Sequence, residues 1–194
     1  MCQEIMKADV RRRASKYYGE YIQYFTGRGI DIGCGSTPMP LWPSTLSITG
    51  YDQMLGHSDA HHLAEHGDET FDFVVSSHCL EHMSDPVLAF NNWLRVLKSG
   101  GFAVITIPDW EMYERKQWPS KFNGDHKTSW TLELAITEDH PAHVILVPEF
   151  LDKFPVEVIK VQRILDNFDP LLPEHIDQTG GPAECAIEFI VRKM

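Results

Sequence analysis

A glycine-rich turn near the N-terminus is the first segment whose residue types could hold a ligand. The stretch "IDIGCGSTP" at 30–38 places Gly33 and Gly35 around Cys34, directly after a short β-branched run that contains Asp31. A glycine pair at such a point lets the backbone approach a ligand closely, and a helix that begins after it offers free N–H groups. The turn therefore indicates a site for a nucleotide-like cofactor.

The turn could belong to a dinucleotide site or to a site for another nucleotide-like cofactor. The dinucleotide fingerprint needs a third glycine three positions after the second, where the helix packs closely on the strand. That position is Pro38, which has no N–H and cannot fill the role. A pyrophosphate cradle is therefore disfavoured, although Asp52 follows the turn at a spacing that suits a contact with a ribose.

Histidines follow the turn at spacings that could serve a metal ion or acid–base chemistry. Pairs four positions apart are formed by His57 and His61, His62 and His66, and His78 and His82. Such spacing can seat a metal ion on a helix, but the segment 57–66 is not expected to be a regular helix, and no acidic or cysteine ligand completes a set. We therefore expect no metal site. A histidine with a pKa near neutrality also suits general base catalysis.

The elements that must position these residues can be recognised from hydrophobic patterning. Near-continuous apolar runs, typical of parallel strands covered on both faces, predict strands at 29–33, 46–51, 71–76 and 101–107. A helix is predicted before the last of these, with Asp85 as its cap, Pro86 in its first turn and "KSGG" as its stop. The strand–helix–strand order predicts an α/β fold with a mostly parallel sheet.

The flanking segments are less regular. We predict a helix over 4–26, short helices in "TLELAITEDH" and "PEFLDKF", and an antiparallel pair formed by "VEVIKVQRI" and "AECAIEFIVRK". The aromatic and charged stretch at 109–145 predicts an insertion over the sheet edge or over a pocket. The loop at 166–184 is long for a compact domain, and it is either a flap over a substrate or a turn.

Composition limits the class of protein and its partners. The 194 residues suit one domain, and no apolar run approaches the length of a membrane span. A formal net charge of −11 disfavours a nucleic-acid partner, because a negative surface repels phosphates. The N-terminal segment lacks the apolar core of a secretory signal, and the four cysteines are scattered, so we expect a cytoplasmic protein with reduced thiols and no membrane partner.

Four segments together resemble the class I S-adenosylmethionine-dependent methyltransferases, especially their small bacterial, type 11-like members. They are "IDIGCGSTP", "GYDQM", "SDAHHL" and "FDFVVSSHCLEHMSDPVLAFNNWLRVLKSGG", in the family's order within 28–108. The resemblance implies a Rossmann-like sheet with helices on both faces and S-adenosyl-L-methionine as the cofactor. Asp59 follows Asp52 by only seven positions, where larger members have a helix and a strand, so the third strand must be reduced or missing.

The resemblance also implies residue roles. Asp52 would accept hydrogen bonds from the ribose hydroxyls, and Asp31 would hold the turn or, through water, the ammonium group of the cofactor. Asp59 would lie near the adenine amino group, with Ala60 against the ring. The full implied cofactor-binding set is Asp31, Gly33, Cys34, Gly35, Asp52, Gln53, Asp59, Ala60, Ser77 and His78.

Candidate catalytic residues follow from the chemistry of methyl transfer, an in-line displacement at carbon that depends on positioning. His78, placed by the resemblance at the strand end beside the methyl group, is the first candidate base for a hydroxyl acceptor, and His126 in "NGDHKTSW" is the second. Glu81 and His82 can instead simply begin the next helix. Tyr17 and Tyr18 either cover the cofactor or pack on the sheet.

We therefore expect one methyltransferase domain over 1–194. Its parts are an N-terminal helix (1–27), a cofactor-binding core (28–108), a substrate lid (109–145) and a C-terminal helix with strands (146–194). The expected reaction is O- or N-methylation of a small molecule, for example a sugar. The alternatives are a non-catalytic cofactor-binding scaffold of the same fold and a nicotinamide-dependent oxidoreductase, which Pro38 disfavours; a homodimer is left open.

Overall fold

The computed structural model describes residues 21–36, 38, 47–133, 141–181 and 183–194. Its strands are β1 (Arg28–Ile32), β2 (Ser47–Tyr51), β3 (Phe71–Ser77), β4 (Leu97–Pro108), β5 (Ser129–Thr131), β6 (Val144–Leu146), β7 (Val156–Ile164) and β8 (Ala186–Lys193). Its α-helices are α1 (Pro86–Val96) and α2 (Val147–Leu151). Six strands form one sheet in the order β2-β1-β3-β4-β8-β7, and β5 pairs with β6 in a separate parallel sheet.

The large sheet is mostly parallel at the site of interest. β1 pairs in parallel with β2 and β3, and β3 pairs in parallel with β4. β8 is antiparallel to both β4 and β7, so the predicted C-terminal antiparallel pair is confirmed. Because the carboxyl ends of parallel strands lie at one edge, the segments that follow β1, β2 and β3 meet there, as in Rossmann-like folds.

Helix α1 covers one face of the sheet. The side chain of Asp85 accepts a hydrogen bond from the Leu88 N–H at 2.9 Å and Pro86 occupies the first turn, as the sequence predicted. Phe90 and Trp93 on its inner face are fully buried in the larger apolar core, which also contains α2. A smaller core on the opposite face contains Phe73 and other residues.

The predicted stop of this helix needs a correction. α1 ends at Val96, and β4 begins at once with Leu97 opposite Phe71. The pairing is then irregular until Phe102, and "KSGG" lies within this irregularity instead of ending the helix. Its glycines are required there, because a Cβ on Gly101 would lie 2.6 Å from the backbone oxygen of Asp72.

Several predictions concern residues outside those described. Most of the predicted helix at 4–26 lies there, including Tyr17 and Tyr18; its described end contains a 3₁₀ turn at Ile22–Tyr24. The predicted helix in "TLELAITEDH" also falls largely on residues that are not described, and its first residue ends β5. The helix predicted in "PEFLDKF" is confirmed for its first four residues, which lie in α2, whereas 152–154 follow the helix.

The expected loss of the third strand is confirmed. Residues 52–70, all of which are described, contain a 3₁₀ turn at Gln53–Leu55 and no strand. Consequently β2 is the edge strand on this side of the sheet, and an irregular segment follows it directly.

Candidate active site

The turn after β1 is fastened to the end of β2 by one carboxylate. Gly33 and Gly35 both adopt positive φ, at 75° and 63°. The Gly35 N–H donates to Asp52 Oδ2 at 2.8 Å, while the Met54 N–H donates to Asp52 Oδ1 at 2.8 Å. Asp52 therefore has a fixed orientation at the carboxyl edge of the parallel strands.

These residues fit the ribose and methionine parts of S-adenosylmethionine. Each oxygen of Asp52 accepts one backbone N–H, and a carboxylate oxygen has room for a second hydrogen bond, such as one from a ribose hydroxyl. No atom of the described residues lies within 4 Å of the position that a Cβ on Gly35 would take, so these residues leave space on that side of the turn. Gly33 instead serves packing, because a Cβ there would lie 2.4 Å from the Cβ of Cys79.

Other residues of the predicted cofactor set surround this turn. Cys34 is half-buried, and its thiol lies 3.4 Å from the Gly35 carbonyl oxygen. Gln53 is exposed in the 3₁₀ turn that Asp52 caps. Asp31 is fully buried within β1, which favours the expected role of holding the turn over a direct contact with the cofactor.

The segment that contains Asp59 and Ala60 is held by helix α1. Trp93 Nε1–H donates to the Ala60 carbonyl oxygen at 2.8 Å, and Arg95 donates to the His62 carbonyl oxygen at 3.0 Å. The side chain of Asp59 is 54% exposed. Burial raises the pKa of Asp59, but hydrogen bonds from His61 outweigh this effect and keep that pKa below its ordinary value.

Tyr51, the last residue of β2, also holds the segment that contains Asp59 and Ala60. Its hydroxyl is 2.9 Å from Ser58 Oγ and donates to Glu65 Oε2 at 2.5 Å, and its ring stacks on His57 with centroids 4.7 Å apart. Burial, followed by the hydrogen bond with Glu65, raises the pKa of Tyr51 to about 12. The hydroxyl therefore stays protonated and keeps the segment in place without a third strand.

Strand β3 ends at Ser77 and delivers His78 in an unusual backbone conformation. His78 has a φ of 55°, a region that residues other than glycine rarely adopt, and its N–H donates to the Thr106 carbonyl oxygen at 2.9 Å. Strained residues of this kind persist where the surrounding structure holds them, and they cluster at functional sites. The imidazole is 18% exposed, so it remains accessible.

Beyond His78, three histidines surround a buried carboxylate. Glu81 Oε1 lies 3.6 Å from His78 Nδ1, 3.8 Å from His82 Nε2 and 3.9 Å from His126 Nε2. Glu81 is fully buried, and neither carboxylate oxygen has a hydrogen-bond partner among the described residues. Burial raises the pKa of Glu81, but the three histidines together hold that pKa below its usual range, with His78 making the largest contribution.

Backbone contacts bring His126 to this cluster from the segment 109–145. The N–H groups of Lys127 and Thr128 donate to the Glu81 carbonyl oxygen at 2.8 and 3.1 Å. The other ring nitrogen of His126, Nδ1, lies 2.6 Å from Oε1 of the buried Glu114. The sequence analysis did not identify Glu114, because nothing in its spacing links it to His126. Contrary to the expectation from spacing, an acid does stand with two histidines in this cluster.

Comparisons with known proteins agree with the fold. Residues 30–105 match a family model described as a methyltransferase domain. A S-adenosylmethionine-dependent methyltransferase from Methanosarcina mazei has a similar structure, with a TM-score of 0.60, 20% identity, and coverage of 93% of this chain and 98% of that one. Residues 30–105 are therefore similar to a methyltransferase domain, and the chain shares the fold of S-adenosylmethionine-dependent methyltransferases.

Other solved structures share this fold. One from Archaeoglobus fulgidus is 17% identical, with a TM-score of 0.56 and coverage of 96% of this chain and 94% of its own. Phosphoethanolamine N-methyltransferase 2 from Haemonchus contortus, solved with S-adenosyl-L-methionine, is 16% identical, with a TM-score of 0.58 and coverage of 97% and 56%. A search of curated proteins finds no match. Among the described residues, no helix combines the length and apolar character needed to span a membrane.

A small cleft lies next to the methyltransferase core. The segment 109–145 contributes Tyr113 and Phe122, and the loop after β7 contributes Phe168 and Gln178. The Tyr113 ring also packs on His126, with centroids 5.5 Å apart, so one side chain connects the cleft with the histidine cluster.

Proposed function

We propose that this methyltransferase domain methylates an oxygen or nitrogen atom of a small-molecule acceptor. The observation that carries the proposal is the carboxylate of Asp52, fixed by two backbone N–H groups beside the open glycine turn. S-adenosylmethionine supplies an electrophilic methyl group on a sulfonium centre. The chain's part is then to hold the acceptor in line with that group, because positioning is the main source of acceleration in such displacements.

His78 and His126 are the proposed catalytic residues on the acceptor side. His78 directly follows β3, and the next residue, Cys79, packs against Gly33 in the glycine turn after β1, here called the cofactor turn. His126 Nδ1 is engaged by Glu114, which leaves Nε2 directed toward the cluster. Both imidazoles therefore belong to the edge of the sheet at which the cofactor turn lies.

The cleft beside Tyr113 supports a small acceptor. Its aromatic walls and the polar side chain of Gln178 match the usual lining of a small-molecule pocket. The net charge of −11 argues against a nucleic-acid acceptor.

Calorimetric titration with S-adenosylhomocysteine, the demethylated cofactor, tests the proposal. We expect Asp52→Ala to weaken binding of S-adenosylhomocysteine by about 100-fold, because it removes the charged carboxylate that would accept hydrogen bonds from the two ribose hydroxyls. Asp152→Ala, which removes an exposed aspartate beyond α2, is the matched control and should bind normally. Absence of binding by the wild type, or equal binding by Asp52→Ala, would contradict the proposed site. Mass spectrometry of hydroxyl and amine compounds incubated with labelled cofactor then identifies the acceptor class.

A further inference from the structure

We propose that Glu81, His82 and His126 form a binding site for a divalent transition-metal ion, and that this ion receives an oxygen atom of the methyl acceptor. The second half of the proposal rests on the proposed function, whereas the first half stands on the ligand geometry alone.

The three ligand atoms already converge. One carboxylate oxygen of Glu81 and one ring nitrogen each of His82 and His126 all lie within 4.8 Å of one another. Both nitrogens are Nε2 atoms, at 3.8 and 3.9 Å from Glu81 Oε1. A tetrahedral ion at roughly 2.0–2.2 Å from each atom sets neighbouring ligand atoms about 3.4 Å apart, so each distance from Glu81 to a histidine nitrogen would shorten by about 0.5 Å on binding.

The carboxylate of Glu81 lacks the hydrogen bonds that a buried charge usually has among the described residues. It is fully buried, and both of its oxygens lack hydrogen bonds among the described residues. The nearest histidine nitrogens, at 3.6–3.9 Å, are too far for hydrogen bonds. Burying a carboxylate in this way is costly unless a cation compensates it, and a metal ion bound by the two imidazoles would do so.

Each proposed histidine ligand has its distal nitrogen held by a second carboxylate. His82 Nδ1 lies 3.1 Å from Asp125 Oδ2, and His126 Nδ1 lies 2.6 Å from Glu114 Oε1. A carboxylate on the distal nitrogen is the usual arrangement around metal-ligating histidines, because it fixes the tautomer and orients the free nitrogen toward the ion. Here it directs both Nε2 atoms to the same point.

The ligand set and its surroundings indicate the kind of ion. Two imidazoles and one carboxylate suit zinc and related first-row divalent ions better than magnesium or calcium, which prefer oxygen ligands. Three protein ligands leave at least one coordination position open, as in catalytic metal sites. His82 is 24% exposed, in contrast to the buried Glu81 and His126, so the cluster can be reached from that side.

The open position can hold an acceptor hydroxyl next to the cofactor turn. Cys79, two residues before Glu81, packs directly on Gly33. The ion would favour loss of the hydroxyl proton to water and orient the oxygen. That oxygen then bonds to the methyl carbon, the carbon–sulfur bond breaks, and its electron pair remains on sulfur. The inferred acceptor class is therefore a hydroxyl compound.

Metal titration of the full chain tests the site. After treatment with a chelator, the wild type should bind about one zinc ion per chain in calorimetry, and cobalt should give visible absorption bands of a nitrogen–oxygen site. His82→Ala, at a partly exposed position, and Glu81→Gln should each weaken zinc binding by more than about 100-fold. His175→Ala removes an exposed histidine elsewhere and should bind zinc normally. Circular dichroism establishes that each variant is folded.

The results separate this inference from the proposed function. We expect His82→Ala to lose zinc binding but to bind S-adenosylhomocysteine normally. Asp52→Ala should bind zinc normally and lose affinity for S-adenosylhomocysteine. No zinc binding by the wild type, or unchanged zinc binding in both His82→Ala and Glu81→Gln, would overturn the metal site. Zinc binding without S-adenosylhomocysteine binding would leave the metal site standing and refute the proposed function. Equal methylation of a hydroxyl acceptor by metal-free and metal-loaded protein would refute the role of the ion in transfer.

Discussion

The carboxyl group of Glu188 should make stability depend on pH near neutrality. Glu188 lies in the centre of β8 and is 3% exposed. It accepts hydrogen bonds from the Tyr21 hydroxyl and, at 3.3 Å, from Gln162 Nε2, with Lys160 also close enough to favour the charged form. Burial nevertheless dominates and, assisted by Glu184, raises the pKa of Glu188 from 4.5 to about 7.

The sign and size of the effect follow from this shift. Because the folded-state pKa lies above the unfolded value, the protonated group favours the folded state at low pH. That contribution is present below pH 4.5 and is lost as the pH rises through about 7. A difference of about 2.5 between the two pKa values corresponds to about 3 kcal/mol. Glutamine cannot ionise, so Glu188→Gln should be free of this loss.

Urea unfolding of wild type and Glu188→Gln between pH 4.5 and 8.5 measures the effect. The free energy of unfolding of the variant should rise by about 3 kcal/mol relative to that of the wild type as the pH increases from 4.5 to 8.5, with most of the change below pH 7. Glu174→Gln, at an exposed position in the loop after β7, controls for the loss of a negative charge and should track the wild type. A stability difference between wild type and Glu188→Gln that is independent of pH would refute the assignment.

Three further substitutions give two more predictions about contacts near the site. Arg163→Met removes the partner that donates to the buried Asp109 at 2.8 Å, so urea unfolding should show a loss of about 3–5 kcal/mol, and a loss below 1 kcal/mol would contradict the pairing. Gly33→Ala combines positive φ with a contact of 2.4 Å to Cys79, whereas Gly35→Ala meets positive φ alone. Thermal unfolding should therefore show a larger loss for Gly33→Ala, about 2 kcal/mol or more against about 1 kcal/mol, and equal losses would contradict the packing role.

Much of the core could be predicted because its signals are local. The strands β1 to β3 are short apolar runs, and the cap of α1 is set by Asp85 and Pro86 within one turn. Asp52 and the glycine turn belong to segments whose order the resemblance recognises, and the structure brings them within 2.8 Å. The missing third strand also follows from local information, since too few residues separate Asp52 from Asp59 to form a helix and a strand.

The parts that were missed depend on contacts between distant residues. β5 and β6 contain three residues each, and their pairing leaves no periodic pattern in the sequence. "KSGG" resembles a helix stop locally, and only the irregular pairing of β4 with β3 shows why its glycines are needed. Histidine spacing alone gave no acid for a metal site, because Glu81 and His126 are 45 positions apart.

The same backbone contacts explain why the histidine cluster is coupled to the fold of the segment 109–145. The Glu81 carbonyl oxygen accepts N–H groups from Lys127 and Thr128, so His126 is positioned by the main chain that immediately follows it. Its imidazole is then fixed by Glu114 from within the same segment. An ion bound between Glu81, His82 and His126 would link this segment to the end of β3, next to the cofactor turn. Metal binding, acceptor binding and the arrangement of residues 109–133 should therefore stabilise one another, because each selects the arrangement that the others require.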